Sequence, residues 1–207
     1  MSTDPADGAQ VVCRLVLATA NQGKVSEIRQ LLGDRYEVVA RPADLAETIE
    51  DGETLEANAL KKAREVAASA NALAVADDTG LFVDALDGRP GVHSARYASP
   101  EADDEANIDK LLSELAEISE DGGRRAAFRT VMAAVWPEGN ELLVEGMVTG
   151  HISQARRGSA GFGYDPVFVP AEGDGRTFAQ MTGEEKNRIS HRGRAVAGLV
   201  AALVEGS

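Results

Sequence analysis

The chain has 207 residues, 43% of them hydrophobic and 27% charged. That balance fits one globular domain, or one domain with two lobes, and excludes a disordered or fibrous chain. Lysine and arginine number 21 against 34 acids, a formal net charge of −13, which argues against duplex nucleic acid or an anionic membrane as the main partner but not against a small phosphorylated ligand held by local cations or a metal.

Residues 1–10, MSTDPADGAQ, carry neither a basic start nor an apolar run, so they read as a polar, flexible extension rather than a signal peptide. Residues 11–207 then form a single domain. Residues 11–18 (VVCRLVLA) read as a buried strand. The lone Cys13 within it cannot form an internal disulfide, and it and three histidines in these positions make no zinc cluster. A buried thiol in a reducing compartment follows, and the cytoplasm is the expected location. A polar turn, 19–24, leads into a helix with Val25, Ile28, Leu31 and Leu32 on one face and Gly33 as its stop. A short strand over 37–40, an acidic loop over 43–53 and a helix over 54–72 come next. Residues 73–76 form a short buried strand that runs into Asp77-Asp78-Thr79-Gly80 and Leu81-Phe82-Val83.

The second half begins with a Gly/Pro loop over 88–97 and an amphipathic helix over 101–118, ended by Asp121-Gly122-Gly123. Two long strands, 126–136 and 141–152, are joined at Pro137-Glu138-Gly139-Asn140 as a hairpin. A Gly-rich stretch over 157–164, a short strand over 167–169 and a capping box at Thr182 and Glu185 precede a final helix to about 204. The longest apolar run, 195–204, falls short of the about 20 residues a membrane span needs. Strands alternating with helices, plus one antiparallel hairpin, predict a mixed α/β protein.

Five places could carry chemistry. Asp77-Asp78 is either a turn or a source of a Mg²⁺ ligand or general base, with only one of the two facing a given cleft, because successive side chains on a strand point to opposite faces. The loop 19–24 opens a helix whose free N–H groups suit phosphate, with Lys24 as a point charge; Thr19 or Asn21 could equally be a simple cap. Asn58 and Lys62 share a helix face, which is either functional or a solvated surface. Phe162 and Tyr164 place two aromatics in one Gly loop, for stacking on a base or for packing. Lys186, Ser190, His191 and Arg192 interrupt an apolar pattern near the last helix.

Six blocks, in order, are ATANQGK (18–24), ETLEANALKKA (53–63), ADDTGLFVDAL (76–86), GRPGVHSARY (88–97), GFGYDPVF (161–168) and EEKNRISHRG (184–193). Together they resemble the inosine triphosphate pyrophosphatase family, the Ham1-like non-standard purine NTP pyrophosphatases. Leu55 stands where that family often has Phe, and Ala57 where it often has an acid.

The resemblance implies an elongated mixed β-sheet with flanking helices and two lobes around a nucleotide cleft. It also implies a Mg²⁺-dependent homodimer that hydrolyses ITP, dITP or XTP to the monophosphate and pyrophosphate. By the same resemblance Asp78 is the general base and, with Glu50, a metal ligand, while Asp77 supports the site from behind. Lys24 and Lys62 hold phosphates, with Thr19, Ala20, Asn21, Gln22, Gly23 and Thr79 around them, and Lys186 closes the site. Phe162, Gly163, Tyr164 and Asp165 form the base side, where the base stacks on Phe162 and His191 and Arg192 read its 6-position. The rivals are a Maf-like pyrophosphatase acting on other modified nucleotides, against which the SHRG and FGYDP blocks argue, and a nucleotide-binding regulator without catalysis.

Overall fold

The structure, a computed structural model, describes residues 13–119 and 122–205. The extension 1–10, the first two residues of the first strand, the burial of the Cys13 thiol and Asp121 lie outside the described residues and side chains.

Seven strands form one mixed sheet: β1 (Cys13–Leu17), β2 (Tyr36–Ala40), β3 (Ala74–Val83), β4 (Pro90–Gly91), β5 (Arg125–Val135), β6 (Glu141–Ile152) and β7 (Phe168–Pro170). Their order is β2-β1-β3-β5-β6-β7, with β4 paired to β3 off that path. β1 runs parallel to β2 and β3, and the remaining pairs are antiparallel. Five helices flank the sheet: α1 (Gln22–Leu32), α2 (Leu55–Ala70), α3 (Asp104–Glu114), α4 (Gly183–Ile189) and α5 (His191–Glu205). The expected mixed α/β sheet with flanking helices is the observed one.

Local chemistry explains the starts and stops. Asn21 caps α1, its side chain accepting a hydrogen bond from the Lys24 N–H at 3.1 Å, and Thr54 caps α2 through the Ala57 N–H at 3.1 Å; each satisfies a donor the helix leaves free. The capping box at α4 is present in both directions, Thr182 to the Glu185 N–H and Glu185 to the Thr182 N–H. α2 buries Leu55, Ala59, Ala63, Val66 and Ala67 on one stripe, and Asn58 and Lys62 sit within that stripe.

Three expectations need correction. The segment Asp77-Asp78-Thr79-Gly80 is no turn. It continues β3, because each of its residues is matched on β5, from Asp77 opposite Met132 to Gly80 opposite Arg129; a complete ladder on the neighbouring strand overrides local turn preference. The final helix is two helices. Ser190 is extended (φ −73, ψ 157), and its Oγ accepts from the Gly193 N–H at 3.0 Å to start α5. The helix expected over 101–118 is shorter, capped by Asp103 and ending at Glu114, while Leu115 remains buried in the core just beyond it.

The core is divided along β3. Ala74, Val75 and Ala76 pack with β1, α1, α2 and α5 in two clusters, one on each face of the sheet. Leu81 and Val83 pack at the other end with α3, Phe128, Ile152 and Phe168. Asp77 to Gly80 thus form the bridge between two bodies of core.

Candidate active site

A cleft of about 490 Å³ lies over that bridge. Its walls are the loop before α1, the loop 41–50, Lys62 of α2, the turn around Ser94–Arg96, the segment 162–165 and the α4–α5 junction. Of the residues expected at a site, Thr19, Ala20, Asn21, Lys24, Glu50, Lys62, Asp78, Thr79, Phe162, Gly163, Tyr164, Asp165, Lys186, His191 and Arg192 all line it. Gln22 and Gly23 do not. Gly23 instead lets the Phe162 ring approach, since a Cβ there would come within 2.7 Å of that ring.

The two neighbouring aspartates face opposite ways. Asp77 is fully buried and meets Lys24 at 3.2 Å and Arg192 Nη2 at 3.3 Å through Oδ2. Burial alone would raise its pKa, but the charges of Lys24, Arg192 and Lys62 outweigh it and hold the carboxyl well below the usual range. Asp78, on the α2 side, accepts from Asn58 Nδ2 at 3.1 Å and stands 3.4 Å from Lys62 Nζ. There burial wins over Lys62 and Lys24, and the Asp78 pKa is raised. One strand therefore carries a permanent anion and, next to it, a carboxylate shifted toward proton uptake, which is how acid–base roles separate.

The cations are gripped by these acids. Lys62, within the buried stripe of α2, donates to the Asp77 carbonyl at 2.6 Å and to Glu50 at 2.9 Å. Burial works against its charge, yet Asp78, Asp77 and Glu50 raise its pKa overall. Lys186 donates to Asp165 Oδ2 at 2.6 Å and Glu27 Oε1 at 2.7 Å and stands 5.0 Å from the Phe162 ring centre. Arg192 donates to Glu27, to Asp77 and, at 3.2 Å, to Thr79 Oγ1; its guanidinium lies 5.4 Å from the same ring centre. Nη1 and Nη2 of Arg192 are thus partnered within the protein, while its buried Nε has no hydrogen-bond partner among the described residues and remains a free donor. His191 stacks on Phe128 at 4.5 Å. Burial, followed by the charges of Arg192 and Lys186, pushes its pKa well down, so the ring is neutral at pH 7.

Tyr164 is buried and donates to the Ser94 carbonyl at 2.8 Å. Asp165 is buried as well; its Oδ2 also accepts from the Phe162 N–H at 3.0 Å, which fixes the loop bearing that ring. Despite the chain's net charge of −13, the cleft is lined by six cationic side chains (Lys24, Arg41, Lys62, Arg96, Lys186, Arg192) against five carboxylates. With Asp77 and Glu27 paired to three of those cations from behind, the cleft is close to charge balance rather than sharing the chain's acidic excess.

Glu50 and Asp78 lie 2.9 and 3.4 Å from the one Lys62 ammonium, so loop and strand bring two carboxylates to a shared cationic point. Among the described residues no three His, Cys, Asp or Glu side chains gather as a metal cluster. A carboxylate pair open to a cleft fits Mg²⁺, which takes one or two carboxylates and completes its shell with water and substrate phosphate.

Two contributors, Glu27 and Arg96, escaped the sequence reading, and a third, Asn58, was named there without a role. Glu27 of α1 joins Lys186 and Arg192. Arg96 donates to the Glu50 carbonyl at 2.8 Å. Asn58 was noted only for sharing a face with Lys62. Within a buried apolar stripe, a polar side chain is the one signal that could have marked Asn58; Glu27 and Arg96 show their role only through distant partners.

The profile of the Ham1 family matches residues 15–202. A dITP/XTP pyrophosphatase of Symbiobacterium thermophilum is 50% identical over 185 residues, 89% of this chain and 91% of that one. The dITP/XTP pyrophosphatase of Bacillus subtilis is 46% identical, covering 87% and 92%. Among solved structures, a HAM1 protein from Coxiella burnetii superposes with a TM-score of 0.82 at 38% identity, covering 93% of this chain and 99% of that one.

Proposed function

The chain belongs to the Ham1 family, and from that premise we propose that it hydrolyses non-standard purine nucleoside triphosphates, ITP, dITP and XTP, to the monophosphate and pyrophosphate. The observation that carries the reading is the divided aspartate pair on β3, set under a cleft whose walls carry Lys24, Lys62, Lys186 and Arg192. Asp78, its pKa raised, takes the proton from the attacking water. Asp77 stays ionised and fixes Lys24 and Arg192. Lys24 and Lys62 stand where phosphate oxygens enter, and Lys186 closes the cleft from α4. Glu50 and Asp78 would hold Mg²⁺, which supplies neutralisation of the triphosphate charge when bound.

The base stacks on Phe162, and His191 and Arg192 read its 6-position. Arginine only donates hydrogen bonds. A 6-keto oxygen accepts them, whereas the adenine amino group leaves donors unpaired at about 1–3 kcal/mol each; guanine shares the 6-keto oxygen, so its rejection belongs to the 2-position instead. The same reading carries a cytoplasmic homodimer. The family resemblance supports the dimer, and the lone Cys13 fits a reducing compartment. No described helix is long and apolar enough to cross a membrane.

The test is product identification with ITP, XTP, GTP and ATP, with and without Mg²⁺. Metal-dependent pyrophosphate release from ITP or XTP, with ATP and GTP spared, is expected from a protein sedimenting as a dimer. Orthophosphate release, or no preference for the non-standard bases, would overturn the assignment.

A further inference from the structure

α2 presents Leu55, Ala59, Ala63, Val66 and Ala67 to the core, and in the same stripe stands Asn58, with no exposed surface. Its side-chain amide is engaged at both ends. Oδ1 accepts from the Gly52 N–H at 2.8 Å. Nδ2 donates to Asp78 Oδ2 at 3.1 Å. The orientation is dictated by chemistry: a backbone N–H can only donate, so the amide oxygen must face Gly52, and the NH₂ is left for a carboxylate that accepts. Gly52 lies two residues after Glu50, and its backbone approaches Asn58 so closely that a Cβ there would stand 2.6 Å from Oδ1. The rest of the loop is held from outside, by Arg96 on the Glu50 carbonyl and by the exposed pair Lys61–Asp51 at 2.7 Å. Asn58 and Lys62 are the links that reach inward to the reacting strand, one neutral and one charged.

We propose that Asn58 is a positioning residue, tying the loop that carries Glu50 to the Asp78 carboxylate and so fixing the separation of the two carboxylates before any ligand arrives. The inference rests on the reading of Glu50 and Asp78 as the acidic pair of a Mg²⁺-dependent pyrophosphatase. Lys62 also contacts both acids, but it is a charge that substrate and metal compete with. The neutral amide of Asn58 keeps its two bonds when a cation enters, so the pair need not reorganise.

The experiment compares wild type, Asn58→Ala and Gly52→Ala. Three quantities are read: binding of Mn²⁺ alone by electron paramagnetic resonance, amide exchange across residues 47–53, and kcat and KM for ITP with Mg²⁺. Outer residues that orient metal ligands are typically worth about 10–100-fold in metal affinity or activity. Both variants should lose about that factor in Mn²⁺ affinity or kcat, exchange the amide of residue 52 at least about tenfold faster, and keep KM within about threefold. Unchanged exchange and unchanged Mn²⁺ affinity in the folded variants would overturn the proposal, whatever happens to turnover. If Asn58→Ala fails to fold, Gly52→Ala decides alone, because Gly52 lies in a half-buried loop rather than in the core. A wild-type protein that released no pyrophosphate would sink the functional reading, and the exchange comparison would still decide the role of Asn58.

Discussion

Asp77 and Asp78 are chemically identical and adjacent, yet strand geometry sends them into different surroundings. Asp77 meets two cationic side chains and no solvent; Asp78 meets an amide and one lysine at longer range. The consequence for Asp77 is a stability contribution with a defined sign. Its folded pKa lies below the unfolded value of about 3.9. The stabilisation is therefore complete above about pH 4 and is lost as the pH falls through the folded pKa. Asp77→Asn should cost about 3–5 kcal/mol at pH 7, because it leaves buried cations without their counter-charge. The gap from wild type should narrow as denaturation is repeated below about pH 4. A variant as stable as wild type at pH 7 would show that the cations find other partners. The sequence placed both aspartates at a site and said that only one could face the cleft. Which one did so came from the family resemblance, and the reason for it appears only when Lys24, 53 residues away by numbering, and Arg192 close around Asp77.

At the scale of elements, the site depends on how α5 begins. His191 and Arg192 are its first two residues, placed by the break at Ser190. Gly193 leaves room for the Asn187 carbonyl of α4, and Gly146 of β6 lets the His191 carbonyl and the Ala195 backbone lie against the sheet. Gly146→Ala would force overlap at that contact. Overpacking of this kind costs about 1–3 kcal/mol, so denaturant unfolding should show a loss in that range, and KM for ITP should rise as His191 and Arg192 are displaced. A loss under about 0.5 kcal/mol with unchanged KM would mean that the helix end is free to shift. The strand–loop–helix start, the β5–β6 hairpin and the Thr182 capping box were legible because each is written in local periodicity and turn chemistry. The continuation of β3 through Asp77–Gly80 was not, since it is imposed by β5, about fifty residues on. The break at Ser190 was hidden for a different reason: the polar cluster 186–192 interrupts the apolar pattern, but a polar stretch does not by itself end a helix, and only the extended Ser190 backbone between two packed helices reveals it.

Across the whole molecule, two bodies of core lie at the ends of β3 and β5, and the polar bridge between them floors the cleft. The loop 41–53 and the segment 162–165 reach across from the sides, fastened by Asn58, Arg96, Lys186 and Asp165. The chain's net charge of −13 contrasts with the near balance of cationic and acidic side chains along the cleft walls. In the proposed mechanism Asp78 performs the proton transfer while its neighbours hold the substrate. Single-turnover pyrophosphate release from ITP by Asp78→Asn, read beside equilibrium binding of the same nucleotide, separates these two roles. Turnover should fall by about 10²–10⁴-fold with nucleotide binding largely kept. Near-normal pyrophosphate release from the variant would contradict that mechanism.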